Sequence, residues 1–285
     1  MRILTYIKVF KFSDKVKYLA GKLLESIIDK ILSYRKWKYQ QVVLTQSESL
    51  GGTISNVNGY YLIEANGFCF HLRNGSSDFN VYDQIFLKKE YKTVIEFWSQ
   101  NVETDCRLIL DVGANVGFSS MYFAEHFPNA KIIAFEPDLE NFKMLSKNVN
   151  SINNCLFENK AIWSYQTTLA IADTFRDGES WSHSVTENLN VPYLYKIEAT
   201  DLNSIINAYN INSIDLLKID IEGAEGEVFS ERGNLDFLNI VKILALEIHD
   251  EVCDREYILT VLKRHDFILF ENDEITLAVK RSLIK

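Results

Sequence analysis

A chain of 285 residues, 47% hydrophobic and 24% charged, carries enough apolar material for one large core, which excludes a disordered or fibrous protein. A formal charge of −9 argues against the broad basic surface that a phosphate backbone requires, so no nucleic-acid partner is expected. Cys69, Cys106, Cys155 and Cys253 form no CxxC pair, which argues against a zinc knuckle or disulfide framework and suits a reducing cytoplasm. With no apolar run of about 18 residues, no membrane span is expected either.

Charge is unevenly placed. Residues 1–40 carry a net +7 and the remaining 245 residues a net −16. Val9, Phe12, Val16, Leu19, Leu23, Ile27 and Ile31 recur every three or four residues, so residues 1–48 are predicted to be a basic amphipathic helical extension. Such a helix suits either an anionic membrane or partner surface, or packing on the acidic remainder of the chain. Residues 49–104 read as a small β/α segment. Asn66-Gly67 joins the runs Tyr60–Ala65 and Phe68–Arg73 as a hairpin, and a helical pattern follows through Val81, Ile85, Tyr91, Val94, Ile95 and Trp98. From residue 105 to 285, apolar runs at Arg107–Asp111, Lys131–Glu136, Cys155–Ile162, Ile214–Asp220 and Val241–Ile248 alternate with helical patterns. That alternation predicts βαβ units and a mostly parallel sheet. The closing runs, Phe267–Phe270 and Ile275–Val279, are close enough for an antiparallel hairpin.

Four stretches carry chemistry. In the first, a buried strand runs through Asp111-Val-Gly113-Ala-Asn115-Val-Gly117 into a helix, a turn that brings backbone close to a ligand. Asn115 stands where a dinucleotide fingerprint needs its middle glycine, which disfavours NAD. The second strand ends in Glu136, about 20 residues on, where an acid can accept both hydroxyls of a ribose. The third, Lys218-Ile-Asp220-Ile-Glu222-Gly-Ala-Glu225, gathers charge at a strand end, with Lys218 and Asp220 on one face. The fourth, Glu247-Ile-His249, supplies a candidate proton acceptor near neutral pH.

Together with Asn159-Lys160-Ala161 and the upstream Arg73, Ser77-Asp78 and Glu90-Tyr91, these motifs resemble the FkbM-type family of S-adenosylmethionine-dependent methyltransferases. The resemblance implies an α/β, Rossmann-like class I methyltransferase fold, a seven-stranded, mostly parallel sheet closed by the C-terminal hairpin. It also implies methyl transfer to a hydroxyl of a sugar, glycan or secondary metabolite. By position, Asp111, Gly113, Asn115 and Gly117 would hold the methionine portion of the cofactor, Glu136 the ribose, and the segment Glu158 to Ala161, with Asn159 and Ala161, the adenine. Asp220 would lie near the transferable methyl, with Lys218 beside it and Asp220 or His249 as base. No metal is expected, although Asp220, Glu222 and Glu247 are oxygen donors of the kind that metal-assisted O-methyltransferases use. The rival reading is a non-catalytic cofactor-binding or recruitment module that acts through residues 1–40. Trp163, Trp181, Tyr193 and Tyr195 either stack on an acceptor or fill core.

Overall fold

The computed structural model describes residues 12–172, 184–188, 190, 192–272 and 274–284. The chain divides into two units, residues 1–50 and 51–285. In the first, helix α1 (Phe12–Ser49) runs for 38 residues. Ile27 and Ile31 of the predicted stripe are 45% and 48% exposed, as are Leu32 and Trp37 at 55% and 52%. Val9 lies outside the described residues. Among the described residues, no helix is long and apolar enough to cross a membrane.

The second unit opens with a three-stranded antiparallel sheet, β1 (Thr53–Val57), β2 (Tyr60–Ala65) and β3 (Phe68–Arg73). Asn66 and Gly67 both take positive φ between β2 and β3, the turn that matches strand twist. The single helical pattern expected through Val81 and Trp98 is broken. Helix α2 (Asp78–Tyr82) passes into a π-helical turn (Asp83–Leu87), and helix α3 (Lys92–Asn101) begins only after Lys89 has taken φ +59°. An apolar repeat continues through such a break because it records which side faces the core, not whether the backbone bonds are continuous.

The main sheet has seven strands, in the order β13-β14-β12-β11-β4-β5-β6. Its parallel strands are β4 (Leu108–Val112), β5 (Lys131–Phe135), β6 (Cys155–Glu158), β11 (Ile214–Ile219) and β12 (Val241–Glu247). The hairpin β13 (Phe267–Asn272) and β14 (Ile275–Lys280) adds two antiparallel strands at one edge. Every residue of β11 is buried, as continuous apolar runs in a two-sided parallel sheet should be. On one face Leu110, Ile133, Leu217 and Leu244 form a core with α6 (Leu202–Ala208) and α7 (Arg255–Arg264). The other face carries α4 (Phe118–His126), whose Phe118 packs edge-on to Phe70 and Tyr82.

The run Cys155–Ile162, read as one strand, is two. β6 ends at Glu158, and β7 (Ala161–Ile162) joins a separate sheet, β7-β10-β8-β9, with β8 (Thr167–Ala172), β9 (Ser184–Thr186) and β10 (Tyr195–Thr200). The break is held by Asn159, whose side-chain amide donates to the carbonyls of Glu136 and Pro137 at 2.8 and 3.0 Å. Strand order reverses between β4 and β11, and ligands of open α/β sheets bind at such a switch point, beyond the carboxyl ends of the strands.

Candidate functional site

The turn from β4 into α4 is fixed by two close approaches. Gly113 has φ +80°, and a Cβ there would fall 1.7 Å from the carbonyl oxygen of Asp220, so β4 and β11 meet only over a glycine. Gly117 has φ +90°, and its Cβ would fall 2.9 Å from Leu145 Cδ1 on α5 (Leu139–Val149). Gly113 and Ala114 donate their N–H groups to the Phe135 carbonyl, tying the turn to the end of β5.

Glu136, the next residue, accepts the N–H of Asn115 on one oxygen and that of Asp138 on the other, both at 2.8 Å. Burial nevertheless pushes its carboxyl up to about 8, against the pull of those N–H groups. Asp138 caps α5 through the N–H groups of Glu140 and Asn141, and accepts a bond from the Tyr195 hydroxyl at 2.8 Å. Arg73 grips Asp78 and donates to Asn141 at 2.8 Å, anchoring β3 to α5.

These strand ends open onto two adjoining clefts. The first is lined by Gly113, Asn115, Glu136, Asp138, Lys160, Ala161, Asp220 and Glu222. The second shares Gly113, Asn115, Asp220 and Glu222, and adds Glu90, Lys218, Glu247 and His249. Of the ten residues singled out from sequence, seven therefore line a cleft: Gly113, Asn115, Glu136, Ala161, Lys218, Asp220 and His249.

Asp111, Gly117 and Asn159 lie behind those linings and support the walls. Asp111, fully buried, accepts the hydroxyls of Ser119 and Ser120 at 2.7 and 2.6 Å, which docks the first turn of α4 onto β4. Gly117 packs on α5, and Asn159 holds the end of β5.

Lys218 stands in register with Asp111 across β11 and β4. Its ammonium lies 3.5 Å from Asp111 and 3.4 Å from Asp220, and donates to the Gly113 carbonyl. Burial opposes that charge, but Asp220, Asp111, Glu247 and Glu90 hold the ammonium above its usual range. A lysine so held is a fixed cation that orients Asp220, not a proton shuttle.

His249 departs from expectation. Its Nδ1 lies 2.9 Å from Glu225 Oε1, and its Nε2 lies 3.3 Å from Glu222 and 3.6 Å from Glu247. Burial disfavours the imidazolium, but hydrogen bonds to Glu222 and Glu225 raise it to about 11. In the free protein these two carboxylates favour the imidazolium, with the ring buried between them.

Two further carboxyls face the second cleft. Glu90 is raised to about 7 by burial and by the Asp220 charge, with Lys218 opposing. Glu247 is raised too, by burial and Asp220, with His249 opposing. Glu90 was visible in the sequence only as part of a motif. Glu225, the hidden partner of His249, carried no signal beyond being an acid at a helix start, since its role depends on a strand 24 residues away. Of the aromatic residues considered for an acceptor, Trp163 is buried and Tyr193 is 41% exposed, while Tyr195 is engaged with Asp138 and the Leu139 N–H. Trp181 lies outside the described residues.

The clefts lie at the switch point of an open α/β sheet, and comparison with known proteins gives the family. The methyltransferase FkbM domain matches residues 111–273, and the chain belongs to that family. It is 31% identical over 152 residues to methyltransferase sdnD of Sordaria araneosa, a match covering 42% of this chain and 58% of that protein. It is 22% identical over 157 residues to 2-O-methyltransferase NoeI of Sinorhizobium fredii, covering 50% of this chain and 64% of that one. The chain thus spans less than two thirds of either relative. Among solved structures, a SAM-dependent methyltransferase from Aquifex aeolicus aligns over 69% of this chain and 90% of its own, with 15% identity and a TM-score of 0.39.

Proposed function

We propose that this methyltransferase takes its methyl group from S-adenosylmethionine and passes it to a hydroxyl oxygen of a sugar, glycan or secondary metabolite. The observation that carries the reading is the pair of clefts meeting at Gly113 and Asp220, one lined by Asn115, Glu136 and Ala161 and one predominantly acidic. The residues of the first cleft fit the cofactor. Each oxygen of Glu136 accepts one backbone N–H and keeps lone pairs for a ribose hydroxyl, Gly113 and Asn115 flank the seam where the methionine portion would lie, and Lys160-Ala161 line the adenine end. Bound there, the cofactor supplies a methyl on a positively charged sulfur. That one relative is named a 2-O-methyltransferase supports oxygen as the acceptor.

The protein's share of an in-line displacement is alignment, because the C–S bond breaks with its electron pair going to sulfur as the C–O bond forms. Asp220, on the seam of the two clefts, takes the acceptor's proton, and Lys218 at 3.4 Å keeps its carboxylate oriented. His249, both ring nitrogens engaged by glutamates, shapes the floor. The net negative charge of the chain beyond residue 40 speaks for a small-molecule or glycan acceptor over nucleic acid. The test is transfer of labelled methyl from S-adenosylmethionine to a panel of sugar, lipid-linked and small-molecule alcohols. Labelled product with a methyl ether is expected, and a label found only on nitrogen or carbon acceptors would overturn the oxygen assignment.

A further inference from the structure

Acidic side chains dominate the lining of the second cleft. Seven of them stand there beside the basic side chains Lys218, Arg255 and His249. Lys218 is spent on the Gly113 carbonyl, Asp111 and Asp220, and Arg255 forks onto Asp250 at 2.7 and 3.0 Å and bonds the Ile248 carbonyl. Within the cleft, one donor atom each from Asp220, Glu247 and His249 lie within 4.8 Å of one another. From this convergence we propose that Asp220, Glu247 and His249 bind a divalent cation of the Mn²⁺ or Mg²⁺ type at the mouth of the acceptor cleft.

Three features favour a metal ion over the cofactor's sulfonium alone as the charge these groups answer. The donor set is mixed. A sulfonium has no use for an imidazole nitrogen, whereas two carboxylate oxygens and one imidazole nitrogen are a common set for octahedral divalent ions. The histidine is also aimed. With its proton on Nδ1, it donates to Glu225, which is fully buried, at 2.9 Å, and Nε2 then faces Glu222 at 3.3 Å and Glu247 at 3.6 Å, both of which line the cleft. A carboxylate that fixes the far nitrogen of a histidine is the usual outer support of a metal ligand. Finally, the donors come from the ends of adjacent parallel strands, β11 and β12, whose separation the sheet sets, so the site is built on rigid elements.

Three protein donors leave the remaining positions of an octahedron to water or to the acceptor. Resting on the methyl-transfer reading above, the ion's work would be to seat the acceptor oxygen, while a monodentate Asp220 keeps its second oxygen for that hydroxyl's proton. Ion binding itself does not depend on that reading.

The experiment is a titration of the full chain, stripped with EDTA, with Mn²⁺ followed by electron paramagnetic resonance, with and without S-adenosylhomocysteine. One ion per chain should disappear from the free signal before it grows, in either condition. Glu247→Gln and His249→Asn should each abolish that tight equivalent, and Glu225→Gln should weaken it by roughly 10–100-fold, as loss of an outer partner does. Circular dichroism melting checks each fold, and Asp220→Asn, at the most exposed of the three ligands, serves if either variant melts early. A free Mn²⁺ signal from the first addition to the wild-type chain would overturn the site, as would unchanged uptake by the folded variants. Failure of the methyl-transfer reading looks different: the chain takes up Mn²⁺, but calorimetry finds no affinity for S-adenosylhomocysteine.

Discussion

Replacing Gly113 by alanine tests whether the seam between the clefts depends on one missing methyl. Two costs arise at this position. The backbone sits at φ +80°, which an L-residue tolerates at about 1–2 kcal/mol. The added Cβ would also lie 1.7 Å from the Asp220 carbonyl oxygen and 2.7 Å from its carbon, backbone atoms that cannot swing aside as a side chain would. Strands β4 and β11 must therefore part, and overpacking of this kind costs roughly 1–3 kcal/mol more. The sum, roughly 2–5 kcal/mol, is a large share of a typical domain's stability. Gly67→Ala is the control, because its φ of +81° carries the same backbone cost while its Cβ meets nothing within 4 Å. Urea unfolding of both variants should show Gly113→Ala destabilised well beyond Gly67→Ala, and calorimetry with S-adenosylhomocysteine should show affinity lost only in the former. Equal destabilisation by the two alanines, with affinity retained, would refute the close approach of β11 to the turn.

Other expectations are more local. With its carboxyl at about 8 when folded and near 4.5 when unfolded, Glu136 favours the fold in its protonated form, so stability is full below about pH 4.5 and declines as pH rises toward 8. The slope from this group is at most about 1.4 kcal/mol per pH unit, and Glu136→Gln should remove it from ligand-free urea titrations while lowering stability itself through loss of one N–H bond. Glu136→Ala should weaken S-adenosylhomocysteine binding by roughly 1–3 kcal/mol in calorimetry. Asp220→Asn should lower turnover by roughly 10²–10⁴-fold at saturating cofactor, the range for loss of a general base. Removal of residues 1–50, a unit of its own, should leave cofactor affinity unchanged in a chain that stays folded.

The order of strands and helices beyond residue 105 was legible in the sequence because buried parallel strands show as apolar runs, and that pattern is local. The Gly113–Gly117 turn and the position of Glu136 were legible for the same reason: positive φ and a strand terminus are properties of a few consecutive residues. Distance along the chain hid the rest. The break after Glu158 depends on Asn159 reaching back to the end of β5, and the interrupted helix before Glu90 has the same apolar period as an unbroken one. Likewise, the position of Asp111 before the glycine turn was local, but its docking of α4 through Ser119 and Ser120 follows only from the packing of that helix on β4. The charge of His249 was decided furthest from the sequence. A lone histidine near a strand end suggests a titrating base, but here β12 buries it, Glu225 and Glu222 arrive from the segment after β11, and their attraction outweighs the desolvation that burial imposes. Residue order sets which groups exist and how each short stretch turns. Only the packed sheet sets how far opposite charges stand from one another and from water, and that distance decides what a carboxylate or an imidazole can do.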